Sequence, residues 1–169
     1  MNNSNSLLSS AHQVYRRAAA KVSMLEPITL LAARVYVGWA FFSSGLTKLK
    51  NWDSTLFLFE EEYNVPLLPY ELAAYLGTAA EIILPLLLMA GLASRFSALG
   101  LFFVNIVAVI SLEDIAAAAY AQHVLWGTLL LQVVTFSGGR FALDHVIKSK
   151  LVKGEMLQQK SVDTKIPTT

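Results

Sequence analysis

The stretch ITLLAARVYVGWAFFSSGLTKL, residues 28–49, decides the fold of this chain. As a helix it is long enough to cross a bilayer, since about 20 apolar residues span the ~30 Å hydrocarbon core. Three further stretches of the same kind follow, at 70–92, 96–112 and 116–136. The sequence therefore predicts an all-α integral membrane protein, in which four crossings form a four-helix up-down bundle.

The composition supports a membrane protein and excludes several functions. Hydrophobic residues make up 55% of the chain and charged residues 15%, whereas soluble domains carry about 25% charged residues. No basic block with interleaved aromatics is present, so nucleic-acid binding is not expected. The chain has no cysteine, which excludes iron–sulfur ligation and thiolate metal sites built by this chain alone. No metal site is predicted, and any redox role requires a bound cofactor or a partner.

The charges predict an orientation, because basic residues near membrane spans are retained on the cytoplasmic side. The first and third connections are acidic, which leaves both termini cytoplasmic in a multi-pass protein of the bacterial inner membrane. The basic residues of the predicted inner side are Arg16, Arg17, Lys21, Arg95, Arg140, Lys148, Lys150, Lys153, Lys160 and Lys165.

Three regions follow from this topology. Residues 1–27 form a cytoplasmic segment, either an amphipathic helix on the inner leaflet or a disordered tail. A signal peptide is the competing interpretation, and Arg34 within the first apolar run argues against it. Residues 28–145 form the four-helix domain, and residues 146–169 form a polar cytoplasmic tail.

The first connection, NWDSTLFLFEEEYNVPLLP at 51–69, is too apolar for a linker and too charged for a span. It predicts a short interfacial helix over 56–63, with its aromatic side chains at the level of the lipid headgroups. Two roles remain open at this point. The helix either anchors the depth of the bundle or covers a site.

Two cations, two glycines and an aromatic residue recur at helical spacing in the first span. They are Arg34, Gly38, Phe41, Gly45 and Lys48, separated by four, three, four and three positions. Such spacing places them on one side of a helix. The two glycines admit either a neighbouring helix or a flat ligand close to the backbone. Because an arginine exposed to lipid is costly, Arg34 is expected to face the bundle interior.

Glu81 is an ionisable residue in the middle of the second span, four positions before Pro85, where a kink is expected. Counting depth at ~1.5 Å per residue predicts an Arg34–Glu81 pair inside the bundle and a Lys48–Glu71 pair at its outer end. Glu81 is either a structural salt-bridge partner or a group that accepts a proton or a ligand hydrogen bond.

His123 lies in the fourth span with Trp126 on the same side. A neutral imidazole can hold a quinone carbonyl, carry a proton or ligate a metal; the alternative is a hydrogen bond to Asn105 or to a backbone carbonyl. Asn105 itself is typical of residues that join membrane helices. The candidate pocket residues are Arg34, Gly38, Gly45, Lys48, Glu81, Asn105, His123 and Trp126.

Four motifs occur in order along the spans. They are R-x3-G-x2-F-x3-G-x2-K-L at 34–49, G-x3-E-I at 77–82, G-L-x-S-R at 91–95 and G-G-R-F-A-L-D at 138–144. Together they resemble the DoxX family, over nearly all of the predicted bundle. The resemblance implies a four-helix membrane protein associated with quinol oxidases, thiosulfate-to-quinone electron transfer or redox-stress assemblies. It directs functional attention to Arg34, Lys48 and Glu81.

The resulting hypothesis is a subunit of a quinone-linked oxidoreductase or redox-stress complex, with a planar head group between the first two spans near Gly38 or Gly45. The cofactor is left open, with quinone as the candidate, and the lipid bilayer and a protein partner or second copy are the expected partners. Whether the chain catalyses a reaction itself is left open. The alternative is a non-catalytic membrane anchor or assembly subunit, and a small-solute transporter is the weaker third hypothesis.

Overall fold

The computed structural model describes residues 3–139, 141–151 and 156, with side chains from His12 onward. All regular elements in these residues are helices, which confirms the all-α prediction. A further helical segment at 143–151, called the C-terminal helix below, crosses the predicted boundary between the bundle domain and the tail. The numbered helices are α1 (Asn3–Ser23), α2 (Glu26–Lys50), α3 (Trp52–Glu61), α4 (Tyr70–Ala90), α5 (Ser94–Ser111) and α6 (Ala117–Phe136).

Three helical stretches are long and apolar enough to cross a membrane: His12–Lys50, Tyr70–Ala90 and Ser94–Ser111. α6 was predicted as the fourth crossing and has a similar length. It is not among these three stretches. The structure thus supports a multi-pass membrane protein, and the fourth crossing stays a prediction.

Four helices form a closed ring, in which α2 packs on α4, α4 on α5, α5 on α6, and α6 again on α2. Only residues 91–93 separate α4 from α5, so these neighbours run antiparallel. The interior between the helices is apolar, as expected for elements that bury a shared face. Its fully buried side chains include Val37, Leu88, Leu101 and Leu130.

The two glycines of α2 lie directly against α4. A Cβ atom at Gly38 would stand 2.6 Å from Met89 Cγ, and one at Gly45 would stand 2.9 Å from Ile82 Cδ1. Small residues allow this close approach of membrane helices. The helix-packing interpretation of these glycines is confirmed. The predicted position of a planar head group between α2 and α4 is wrong, because neighbouring side chains already fill that space.

α3 begins earlier than predicted and folds back on the bundle. Asn51 caps its first turn, because the Asn51 side chain accepts a hydrogen bond from the Ser54 N–H at 3.1 Å. The Thr55 hydroxyl donates to the Lys48 carbonyl at 2.8 Å, which fastens α3 to the end of α2. Phe59 is buried against Ala73 and Ala74 of α4. Contacts with both α2 and α4 therefore hold α3 in place.

The chain ends differ from the bundle in their packing. Every α1 side chain from His12 to Ser23 is exposed, and a break at Met24 and Leu25 separates α1 from α2. The predicted disordered alternative for this segment is wrong over α1, which is helical. The predicted polar tail beyond residue 151 and four predicted inner bases lie outside the described residues; these bases are Arg140, Lys153, Lys160 and Lys165.

Candidate functional site

The ion pair of the bundle joins Lys48 of α2 to Glu81 of α4. Lys48 Nζ donates to Glu81 Oε2 at 2.6 Å and to Ser44 Oγ at 3.0 Å. The two charged side chains are only 12% and 10% exposed. Both predicted pairs are therefore wrong, since Glu81 is bound by Lys48 instead of Arg34, and Glu71 contacts the Tyr70 hydroxyl at 3.4 Å.

The offset between α2 and α4 explains why Arg34 does not reach Glu81. Arg34 lies beside Gly91, at the end of α4, while Gly45 lies beside Glu81. Gly91 follows Glu81 by ten residues, which corresponds to ~15 Å along a helix. That separation exceeds the length of an arginine side chain. Lys48 stands one turn beyond Gly45 and reaches back to the carboxylate.

A cavity of about 270 Å³ opens beside this ion pair. Lys48 and Glu81 form its polar end, and apolar side chains of α4 and α5 form its walls. Phe59 of α3 covers Gly77 of α4, with the ring 3.5 Å from the position of a Cβ. α3 therefore lies over the cavity, as the predicted covering role requires. The cavity is lined by Lys48, Phe59, Tyr63, Val65, Leu68, Ala73, Leu76, Gly77, Ala80, Glu81, Phe103, Val104, Val107, Ala108 and Ser111.

Tyr63 supplies a third polar group to the cavity, from the segment that follows α3. Burial raises the pKa of its phenol, and the negative charges of Glu81 and Glu62 raise it further. The hydroxyl therefore remains a hydrogen-bond donor at neutral pH. Its ring stacks on Phe59, with 5.0 Å between centroids. The backbone N–H of Asn64 donates to the Ser111 carbonyl at 2.8 Å, which ties this segment to the end of α5.

The cavity opens sideways between α4 and α5. Leu76 of α4 is 52% exposed and Phe103 of α5 is 58% exposed, and both line the opening. Apolar side chains exposed on the outer face of a membrane bundle are expected to contact lipid. A ligand can therefore enter from the bilayer, with its polar part directed toward Lys48 and Glu81.

The ion pair, the cavity and α3 all lie within residues 29–114, the region that matches the DoxX family model. This chain belongs to the DoxX family. It is also similar to an uncharacterized protein of Haemophilus influenzae, with 30% identity over 130 residues, or 72% of this chain and 84% of the relative. No solved structure matches the chain. The family identification made from the motifs is confirmed.

His123 lies beyond the DoxX-matched region and outside the Glu81 cavity. Asn105 Nδ2 donates to the His123 carbonyl at 3.0 Å, so its Oδ1 faces the imidazole and accepts from His123 Nδ1 at 2.8 Å. The ring stands edge-on to Trp126, with 5.0 Å between centroids. The hydrogen-bond interpretation of His123 is confirmed, and this contact joins α5 to α6.

Arg34, the first residue of the DoxX-like motif, belongs to a different cluster at the opposite end of α2. Its side chain is fully buried, and Nη2 donates to the Phe141 carbonyl at 3.4 Å. Within the part of the chain that the structure describes, Nε and Nη1 have no hydrogen-bond partner. The neighbouring carboxylate is that of Asp144.

Asp144 caps α5 and was not identified from the sequence. Its carboxylate accepts from the Ala93 N–H at 2.9 Å, from the Ser94 N–H at 2.8 Å and from the Ser94 hydroxyl at 2.9 Å. Partial burial raises the pKa of Asp144, but these hydrogen bonds and the charge of Lys148 outweigh it, so the pKa is below its ordinary value. The residue that caps a helix usually stands next to the helix terminus. The sequence therefore carries no signal that Asp144 caps a helix that begins 50 residues earlier.

Proposed function

We propose that this DoxX-family protein binds a planar, lipid-soluble molecule of the quinone class in the Glu81 cavity. In this role it serves as a subunit of a quinone-linked oxidoreductase or redox-stress complex of the bacterial inner membrane. The observation that carries the proposal is the Lys48–Glu81 ion pair at the end of an apolar cavity that opens sideways.

The chemistry of the cavity suits a ring that carries carbonyl oxygens. Lys48 and the Tyr63 hydroxyl are donors for such oxygens, and Glu81 is the group expected to exchange a proton with the reduced, hydroxyl-bearing form. At about 270 Å³, the space is slightly smaller than the 300–1,000 Å³ of typical ligand pockets. It suits a single ring, while an apolar tail would leave between α4 and α5. The electron carrier is expected from a partner subunit or a bound cofactor.

The proposed orientation follows from the charges at the two ends of the bundle. The end that holds the α4–α5 turn carries Arg95, and the α1 segment adds Arg16, Arg17 and Lys21. The end that holds α3 is acidic, with Glu60, Glu61 and Glu62. With α6 as the fourth crossing, the positive-inside rule places both termini in the cytoplasm. The Glu81 cavity then lies toward the outer leaflet.

The test is ligand binding by the purified full chain in nanodiscs. Lipids extracted with the protein are analysed for quinones, and a short-chain quinone is titrated while the tryptophan fluorescence is recorded. Ala80→Leu places a larger side chain in the cavity and is expected to weaken binding by about tenfold or more, because overpacking is costly. Ala79→Leu is the matched control, since Ala79 lines a separate surface groove with Trp52 and Tyr75. Equal binding by both variants, or no binding by the unaltered chain, contradicts the proposal.

A second candidate function is a non-catalytic anchor or assembly subunit. The close contact of Gly38 and Gly45 with α4 favours it, because this contact and the Lys48–Glu81 pair together fix α2 against α4. Under this function Glu81→Gln lowers the amount of folded protein without changing any turnover, and a partner protein co-purifies. Quinone binding by a normally folded Ala79→Leu variant supports the first function. Absence of quinone binding from that variant supports the anchor function.

A further inference from the structure

Two amphipathic helices lie outside the bundle, both at the end that holds Arg34. They are α1 and the C-terminal helix, 143–151. The described side chains of α1 are all exposed, and in the C-terminal helix only Asp144 is partly covered. Exposed helices that keep an apolar face require a partner surface, because contiguous exposed apolar patches are rare unless they bind something.

α1 has the pattern of a helix that lies in a membrane surface. Val14, Ala18 and Val22 recur every four residues and share one face, and Val14 and Val22 are each 67% exposed. Lys21 and Arg17 both lie along one border of this face, from which their long side chains can reach the lipid headgroups. The whole of α1 contains no acidic residue.

The C-terminal helix repeats the pattern in a shorter form. Leu143, Ile147 and Leu151 share one face and are 44%, 48% and 62% exposed. Lys148 and Lys150 lie at the two borders of that face. Asp144, the acidic residue of this segment, is engaged with the start of α5, so the exposed part of the helix is basic.

The junction of α1 and α2 lies beside the C-terminal helix. Met24 and Pro27, at the junction of α1 and α2, line the same groove as His145 and Lys148 of the C-terminal helix. The backbone N–H of Asp144 donates to the Gly91 carbonyl at 3.0 Å, which ties the C-terminal helix to the α4–α5 turn. Both helices therefore adjoin the same end of the bundle.

We propose that α1 and the C-terminal helix together form a basic amphipathic collar that docks on an anionic lipid leaflet around the base of the bundle. Apolar faces bordered by basic side chains bind at the boundary of headgroups and acyl chains. Anionic lipids attract each Lys or Arg near the surface strongly enough to change binding about fivefold. Because the bundle itself is a membrane protein, this leaflet is already adjacent to the collar.

The experiment uses the absence of cysteine in the full chain. Ala18→Cys places a thiol on the apolar face of α1, and Ala20→Cys places one on the opposite face as a matched control. Each variant is reconstituted in nanodiscs of phosphatidylglycerol or of phosphatidylcholine, which leave both membrane faces open to the solution. The rate of modification by a water-soluble maleimide is then measured. In phosphatidylglycerol, Ala18→Cys is expected to react at least about fivefold more slowly than Ala20→Cys, the effect of one docked basic residue.

Two further measurements make the outcome decisive. Ile147→Cys and Ser149→Cys form the same comparison in the C-terminal helix. The triple substitution Arg16→Gln, Arg17→Gln and Lys21→Gln is expected to bring the Ala18→Cys and Ala20→Cys rates together in phosphatidylglycerol. Equal rates at the two faces without that substitution overturn the collar. Protection of Ala18→Cys that is as strong in phosphatidylcholine, or that requires a co-purified protein, overturns the assignment to anionic lipid.

Discussion

α2 carries a cation near each end, Lys48 partly buried and Arg34 fully buried, and the two have different partners. Lys48 pairs directly with Glu81 beside an open cavity. Arg34 is fully buried, contacts a backbone carbonyl, and stays apart from Asp144, which caps α5 instead. The Lys48–Glu81 pair lies beside free space that a ligand can occupy. Arg34 is enclosed by the protein and contacts its backbone. The proposed binding site therefore lies at the Lys48 end, whereas the contacts of Arg34 are with the chain itself.

Breaking the Lys48–Glu81 pair is expected to have the largest effect. Lys48→Met leaves the Glu81 carboxylate buried without its cation, and removing one partner of a buried pair costs about 3 kcal/mol. The double variant Lys48→Met, Glu81→Gln is expected to recover most of that stability, because no charge remains unpaired. The measurement is the free energy of unfolding in mixed micelles with increasing SDS. A double variant no more stable than Lys48→Met contradicts the direct pair.

Crowding the Arg34 end is expected to have the next largest effect. Gly91 has φ +73°, and a Cβ there would collide with Arg34 and with Ala142. Gly91→Ala is therefore expected to cost about 2 kcal/mol from overpacking and backbone strain. Gly77→Ala is the matched control in the wall of the Glu81 cavity, where the nearest atom is 3.5 Å away, and it is expected to be neutral or to stabilise the helix by up to about 1 kcal/mol. Equal costs in the same unfolding measurement would mean that the Arg34 end is no more tightly packed than the cavity.

The smallest effect is expected at Asp144. Asp144→Asn weakens the cap of α5 and is expected to cost about 1 kcal/mol at neutral pH. Because the pKa of Asp144 is lowered in the fold, its stabilisation is complete above the unfolded pKa and is lost as the pH falls through the lower folded value. The difference in unfolding free energy between the unaltered chain and Asp144→Asn should therefore shrink below about pH 4. A difference that stays constant down to pH 2 would show that Asp144 does not titrate in this contact.

Much of the helical framework can be predicted from apolar run lengths. The predicted stretches at 28–49 and 70–92 became α2 (Glu26–Lys50) and α4 (Tyr70–Ala90). The His123–Asn105 contact was also among the predicted alternatives, because both are polar residues on neighbouring helices. Helix existence depends on local composition, which the sequence displays directly.

The ion pairing could not be predicted, because it depends on how far one helix slides along another. The depth count placed Arg34 and Glu81 near the same level, whereas α2 extends eight residues before Arg34 and α4 ends beside it. The start of α3 was missed because Asn51 acts as a cap just after a span. The Glu81 cavity depends on α3 folding over α4 and on the segment after α3 reaching the end of α5, which local patterns do not encode.

α3 and the segment that follows it cover the Glu81 cavity, and hydrogen bonds to main-chain carbonyls hold them in place. The Thr55 hydroxyl bonds the carbonyl of Lys48, and the Asn64 N–H bonds the carbonyl of Ser111. A carbonyl persists whatever side chain its residue bears, so substitution at positions 48 or 111 leaves the acceptors in place. The polar lining of the cavity can therefore change during evolution while the enclosure itself is kept.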